Sequence, residues 1–179
     1  MSASASPLWT FSLAVYGADG VEGECLDLQE RHGLDVNLLL LCAFVGAVGG
    51  TALAAEDIAA ARSLVGTWHT DIVMALRAAR RRLKTIAAGD DEAAKAAAQL
   101  RNAVKAAELE SERIEQMILE RWMKDLPASR FRADARSATA ANIRALLQSY
   151  GAGREPENTV RHLIAAALDA GVRAAAYEK

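Results

Sequence analysis

Residues 90–126 read DDEAAKAAAQLRNAVKAAELESERIEQMILERWMKDL, and this stretch decides the fold class. Leu100, Val104, Ala107, Ile114, Ile118 and Trp122 recur at three, four or seven residues, which is the spacing of one face of an α-helix. Asp90, Asp91 and Glu92 open the run, where the positive end of a helix dipole favours carboxylates, and Pro127 stands just past its end. Just upstream, Ile72, Leu76, Ala79, Leu83 and Ile86 repeat at heptad-like spacing as far as Gly89. The two runs predict a long antiparallel hairpin of helices.

The rest of the 179-residue chain agrees. It holds about 40 alanines, three prolines and only 5% aromatic residues, whereas strands want β-branched and aromatic side chains. We therefore expect an all-α, multi-helix bundle, long enough to bury a core without staples. Caps and breakers place further helices at Leu8–Tyr16, Val21–His32, Val36–Val48 and Ala54–Val65, the last ending at Gly66, with two more near Ala138–Tyr150 and Glu157–Tyr177. Gly33 and Asp35 supply a C-cap and an N-cap for a tight corner between the second and third helices. The organisation that follows is a disordered tail over 1–7, a helical core over 8–126, a linker over 127–137 and a mobile helical appendage over 138–179.

A net charge of −2 excludes a dedicated nucleic-acid binder, which would carry a basic excess. Cys25 and Cys42 each lie in an apolar helical stretch, so neither a disulfide framework nor a metal knuckle is expected, and the compartment reads as cytoplasmic. The N-terminus lacks the basic and apolar regions of a signal peptide. Residues 36–55 carry no charge and are long enough to span a bilayer, and Gly46 and Gly50 form a small-xxx-small pair. Gly49-Gly50-Thr51 reads as a break, however, so a buried core helix is expected and membrane association is the lesser alternative.

Candidate chemistry is sparse. Arg77, Arg81 and Lys84 share one spacing on the first hairpin helix, and Glu108, Glu112 and Glu115 share it on the second, which permits an interhelical charge ladder or a partner-binding face. The Glu-x-x-His pattern of bundle di-metal sites is absent, so no metal or cofactor is expected. His32, His69 and His162 read as surface or cap histidines, and Cys25 as a small buried hydrophobe rather than a nucleophile. No P-loop, nucleophile elbow or dinucleotide fingerprint occurs. The basic runs Arg80-Arg81-Arg82 and Arg130-Phe131-Arg132 read as solvated faces. Trp9, Phe11, Tyr16, Cys25, Gln29, Asn37 and Phe44 form a candidate apolar pocket of the kind bundles build between helices.

The N-terminal block Leu8-Trp9-x-Phe11-Ser12-Leu13-x-x-Tyr16, Cys25-Leu26-x-Leu28-Gln29 and Gly33-Leu34-Asp35-Val36-Asn37-Leu38-Leu39-Leu40 resembles an uncharacterised bacterial family of small helical proteins, a domain of unknown function. The similarity continues through Trp68, Arg81-x-Leu83-Lys84 and Glu108-Leu109-x-x-Glu112-x-x-Glu115-Gln116, over roughly residues 8–120. It implies a shared helical fold and a bacterial cytoplasmic origin, and it transfers no catalytic residue. The function expected is a non-enzymatic interaction or self-association module with a protein partner or a second copy. An apolar-ligand or lipid-binding bundle is the runner-up, and an unfamiliar enzyme is the remote alternative.

Overall fold

The computed structural model describes residues 6–126, 133–153, 155 and 157–177. Its elements are α1 (Pro7–Tyr16), α2 (Val21–His32), α3 (Val36–Gly49), α4 (Ala55–Trp68), a π-helical turn (His69–Val73), α5 (Met74–Ile86), α6 (Glu92–Lys124), α7 (Ala135–Ser149), a 3-10 turn (Glu157–Val160) and α8 (Arg161–Tyr177). No β-strand occurs among the described residues, so the protein is all-α. Two compact units divide it: residues 1–62 with 116–179, and residues 63–115.

In the first unit the organising element is α3. Every residue from Asn37 to Ala47 is buried, as a helix that is apolar on all sides requires. Its entry is set by Asp35, which accepts the Asn37 N–H at 2.8 Å, and by Gly33, whose φ of +63° turns the chain out of α2. Helix α7 packs most extensively on α3, followed by α8 and then α1. Gly46 and Gly171 permit this closeness, because a Cβ at Gly46 would lie 2.4 Å from Thr139 Cα and one at Gly171 would lie 2.7 Å from the Ala47 carbonyl oxygen. The C-terminal helices, expected as a mobile appendage, are instead what covers the apolar α3.

Polar groups finish this core. Asn142, fully buried on α7, accepts the Leu53 N–H at 2.7 Å and donates to the carbonyls of Thr51 at 2.9 Å and Cys42 at 3.2 Å. These bonds hold the chain where it leaves α3. The uncharged stretch 36–55 is therefore a 14-residue helix followed by an extended turn, and no helix among the described residues is long and apolar enough to cross a membrane. Ser6 caps α1, accepting the Trp9 N–H at 3.2 Å and donating to Glu120 on α6, and Pro7 is already helical. Residues 1–5 of the expected tail and 127–132 of the expected linker, with Arg130-Phe131-Arg132, lie outside the described residues. Helix α7 begins at Ala135, capped by Asp134, three residues earlier than expected.

In the second unit the helix expected to stop at Gly66 does not stop. Helix α4 runs through Gly66 to Trp68 and joins α5 through the π-helical turn. An interior glycine costs a helix only about 1 kcal/mol relative to alanine, too little to end it.

Candidate functional site

Helix α5, MALRAARRRLKTI, carries five basic residues and no acid, whereas the part of α6 beside it carries Glu108, Glu112 and Glu115. Within the second unit these charges meet. Arg77 donates from Nε to Glu108 at 3.0 Å and from Nη2 to Glu112 at 2.6 Å. Arg80 donates twice to Glu108, once at 3.1 Å. Below them, Trp68 donates its indole N–H to the Ser111 carbonyl at 3.0 Å, and His69 Nδ1 lies 3.3 Å from the fully buried Glu115 carboxylate. Among the charged partners, numbers on α6 fall from Glu115 to Glu108 as those on α4 to α5 rise from His69 to Arg80.

Three residues of the expected ladder, Arg77, Glu108 and Glu112, meet, and Arg80 joins them. Arg77 takes Glu108 and Glu112, Arg80, which lay outside the expected set, also takes Glu108, and His69 lies against Glu115. Arg81 and Lys84 are exposed. A spacing of three residues, Arg77 to Arg80, marks this face as well as a spacing of four does, and it was the signal the sequence offered. The two glutamates diverge electrostatically. At Glu108, burial raises the carboxyl, but hydrogen bonds from Arg80 and Arg77 outweigh it and hold the group below its usual range. At Glu112, burial dominates over Arg77 and raises it.

Part of each apolar row stays inside, with Leu76, Leu83, Val104 and Ile114 half-buried, and part is turned to the surface. On the rod, Ile72 is 38% exposed and Ile86 59%, with Ala75 and Ala79 exposed between them, and α5 buries no residue at all. On α6, Ala93, Ala96, Leu100, Ala103 and Ala107 are all exposed, spaced three and four residues apart, with Leu100 at 54%. At 100° per residue both rows fall on the same side of the charged seam.

The residues expected to line an apolar pocket belong to the first unit. Phe11 packs edge-on against Phe44 with ring centroids 5.1 Å apart, and Cys25 is fully buried. Asn37 accepts a hydrogen bond from Gln116 Nε2 at 2.9 Å, while Trp9, Tyr16 and Gln29 are half-buried. A cleft of about 480 Å³ lies elsewhere in this unit, between α2 and the start of α8. There Glu24 accepts the backbone N–H groups of His162 and Leu163, both at 2.9 Å, and meets His162 Nδ1 at 2.8 Å, with the imidazole seated over Gly20. Glu24 is the cap of α8, and no local pattern links residues 138 positions apart.

A sequence profile described as a protein of unknown function, DUF2390, matches residues 7–119. This chain belongs to the DUF2390 family. No curated protein and no solved structure matches it. The DUF2390 match takes in α1 to α5 and α6 as far as Leu119, so the whole charge ladder and both exposed rows lie inside it. Helices α7 and α8, and with them His162, lie beyond it.

Proposed function

We propose that this DUF2390 protein is a non-enzymatic helical association module that works through the apolar face of its α5–α6 arm. The observation that carries this is a pair of amphipathic helices joined by charged side chains, each of which leaves a row of apolar residues exposed. Contiguous exposed apolar surface of this kind marks a site that another surface covers. The ladder of Arg77, Arg80, Glu108 and Glu112 acts as the phasing device, because it fixes the rotation of each helix and thereby points the rows outward. Buried, unpaired Cys25 and Cys42 fit a reducing, cytoplasmic setting.

The experiment is sedimentation velocity on the wild-type chain and on Ile72→Glu and Leu100→Glu, with circular dichroism to confirm helicity. Either charge, placed at an exposed position, is expected to abolish association at unchanged helix content. Association that survives both substitutions would remove the arm from the proposal.

A further inference from the structure

We infer that His162 is a phosphoryl acceptor, with Nε2 of its imidazole as the attacking atom and Glu24 as the residue that positions the ring. The inference stands on the cleft between α2 and the start of α8 and goes beyond the association reading, which concerns the other unit. Apart from Gly20 and Gly23, every residue lining this cleft carries a polar side chain.

Glu24 fixes both the place and the tautomer of the ring. Its carboxylate, 11% exposed, accepts the backbone N–H groups of His162 and Leu163, and the oxygen that takes the first of these lies 2.8 Å from Nδ1. A carboxylate oxygen that accepts there holds the hydrogen on Nδ1, and a neutral imidazole then carries its lone pair on Nε2. Gly20 backs the ring, since a Cβ at that position would stand 2.7 Å from Nδ1. Nε2 makes no hydrogen bond among the described residues, and the side chain is 43% exposed.

The neighbours say what the lone pair meets. Asp27 is taken up by Arg31, and Glu155 by Arg31 and His32. The Arg161 guanidinium and the Asn158 amide also line the cleft, and neither makes a hydrogen bond or ion pair among the described residues. Both are donors suited to the oxygens of a phosphoryl group. Thr159 spends its hydroxyl on Glu155 at 3.3 Å, so the cleft offers no free hydroxyl or thiol for His162 to activate as a base. No group of three metal-ligating side chains among the described residues includes His162. The imidazole is itself the nucleophile. With a phosphoramidate as donor, the Nε2 lone pair forms a bond to phosphorus while the donor's P–N bond breaks, and ammonia leaves with the electron pair. The ring gains a positive charge and keeps its Nδ1 hydrogen, and the Glu24 carboxylate offsets that charge, as the carboxylate behind the imidazole of a catalytic triad does.

The test incubates the full chain with potassium phosphoramidate and follows phosphohistidine by phosphorus NMR, with peptide mapping to locate it. His162 is expected to be phosphorylated at Nε2 about tenfold faster than His32, whose Nε2 is engaged with Glu155. Arg161→Ala, at an exposed position, is expected to slow the reaction severalfold at unchanged helix content. Glu24→Gln keeps an oxygen for the cap but not the charge, and is expected to slow the reaction by about tenfold and to let the Nδ1 isomer appear beside the Nε2 one. A carboxylate that only capped α8 would leave that isomer ratio unchanged. Phosphorylation of His162 no faster than that of His32, reaction chiefly at Nδ1 in the wild type, or a rate unmoved by Arg161→Ala would overturn the inference, even if Glu24→Gln fails to fold.

Discussion

Gly46 on α3 lies so close to Thr139 on α7 that a Cβ at Gly46 would stand 2.4 Å from Thr139 Cα, closer than packed atoms tolerate. Gly66, inside α4, has nothing within 4 Å of the same position. The two glycines therefore predict opposite outcomes. Gly66→Ala should stabilise by about 0.5–1 kcal/mol, because alanine loses less backbone freedom in a helix. Gly46→Ala should destabilise by about 1–3 kcal/mol, because backbone rather than a flexible side chain would have to move. Urea denaturation of both variants measures this, and a stabilised Gly46→Ala would mean that α7 is not seated on α3 as described.

Asn142 supports the other end of the same contact. Replacing it with leucine keeps the volume but strands the Leu53 N–H and the Thr51 carbonyl, while the Cys42 carbonyl keeps its bond within α3. Unsatisfied buried groups cost about 1–3 kcal/mol each, so a loss of about 3 kcal/mol is expected. Asn142→Asp should do no better, since a carboxylate cannot donate and brings charge into the core. A loss under about 1 kcal/mol would show that the Leu53 N–H and the Thr51 carbonyl find other partners.

Features set by local periodicity were legible in the sequence. The long α6 helix, the all-round apolar α3 and the Gly33–Asp35 corner each arise from residues within a turn or two of one another, and each is found. Gly66 misled because a glycine ends a helix only when it adopts the left-handed conformation, as Gly33 and Gly50 do and Gly66 does not. The π-helical turn at His69–Val73 has no compositional mark, and it shifts the phase of everything after it. An uncharged α3 demands cover on every side, but nothing local says that α7 and α8 supply it. The Glu24–His162 contact was illegible for the same reason.

Glu108 and Glu112 share Arg77 yet should respond differently to neutralisation. Glu108→Gln removes a carboxylate that Arg77 and Arg80 both use, and should cost about 2 kcal/mol at pH 7. Glu112→Gln removes a charge whose burial outweighs its pairing, and should change stability by less than about 0.5 kcal/mol. The signs of their pH dependence are opposite. Glu108, held low in the fold, contributes stability above its unfolded pKa and loses it as the pH falls; Glu112, held high, costs stability above its folded pKa and relieves that cost as the pH falls. Denaturation of the two variants at pH 7 and pH 4 should therefore show the gap between them closing in acid.

Cys25 and Cys42 report on the integrity of the first unit. Burial pushes both thiols up to about 12, with Glu24 and Glu22 adding to the effect at Cys25. At pH 8 neither is a thiolate in the folded protein, so an aromatic disulfide reagent should label none until denaturant is added, and then two. Rapid labelling of one thiol in the native protein would show that its helix opens locally.

Glu155 should provide the acid-sensitive link in the first unit. It accepts two hydrogen bonds from Arg31 and lies 2.8 Å from His32 Nε2, so it joins the end of α2 to the segment leading into α8. Arg31 foremost, and then His32, hold its carboxyl down at about 2 from an ordinary 4.5. A carboxylate depressed in the folded state stabilises above its unfolded pKa and stops doing so as the pH falls through the folded one, so the loss should fall between about pH 4.5 and pH 2. Comparing the wild type with Glu155→Gln by urea denaturation across that window isolates the contribution. The stability difference should be constant above about pH 5.5 and vanish near pH 2; a difference that ignores pH would mean that Glu155 acts by packing rather than by charge.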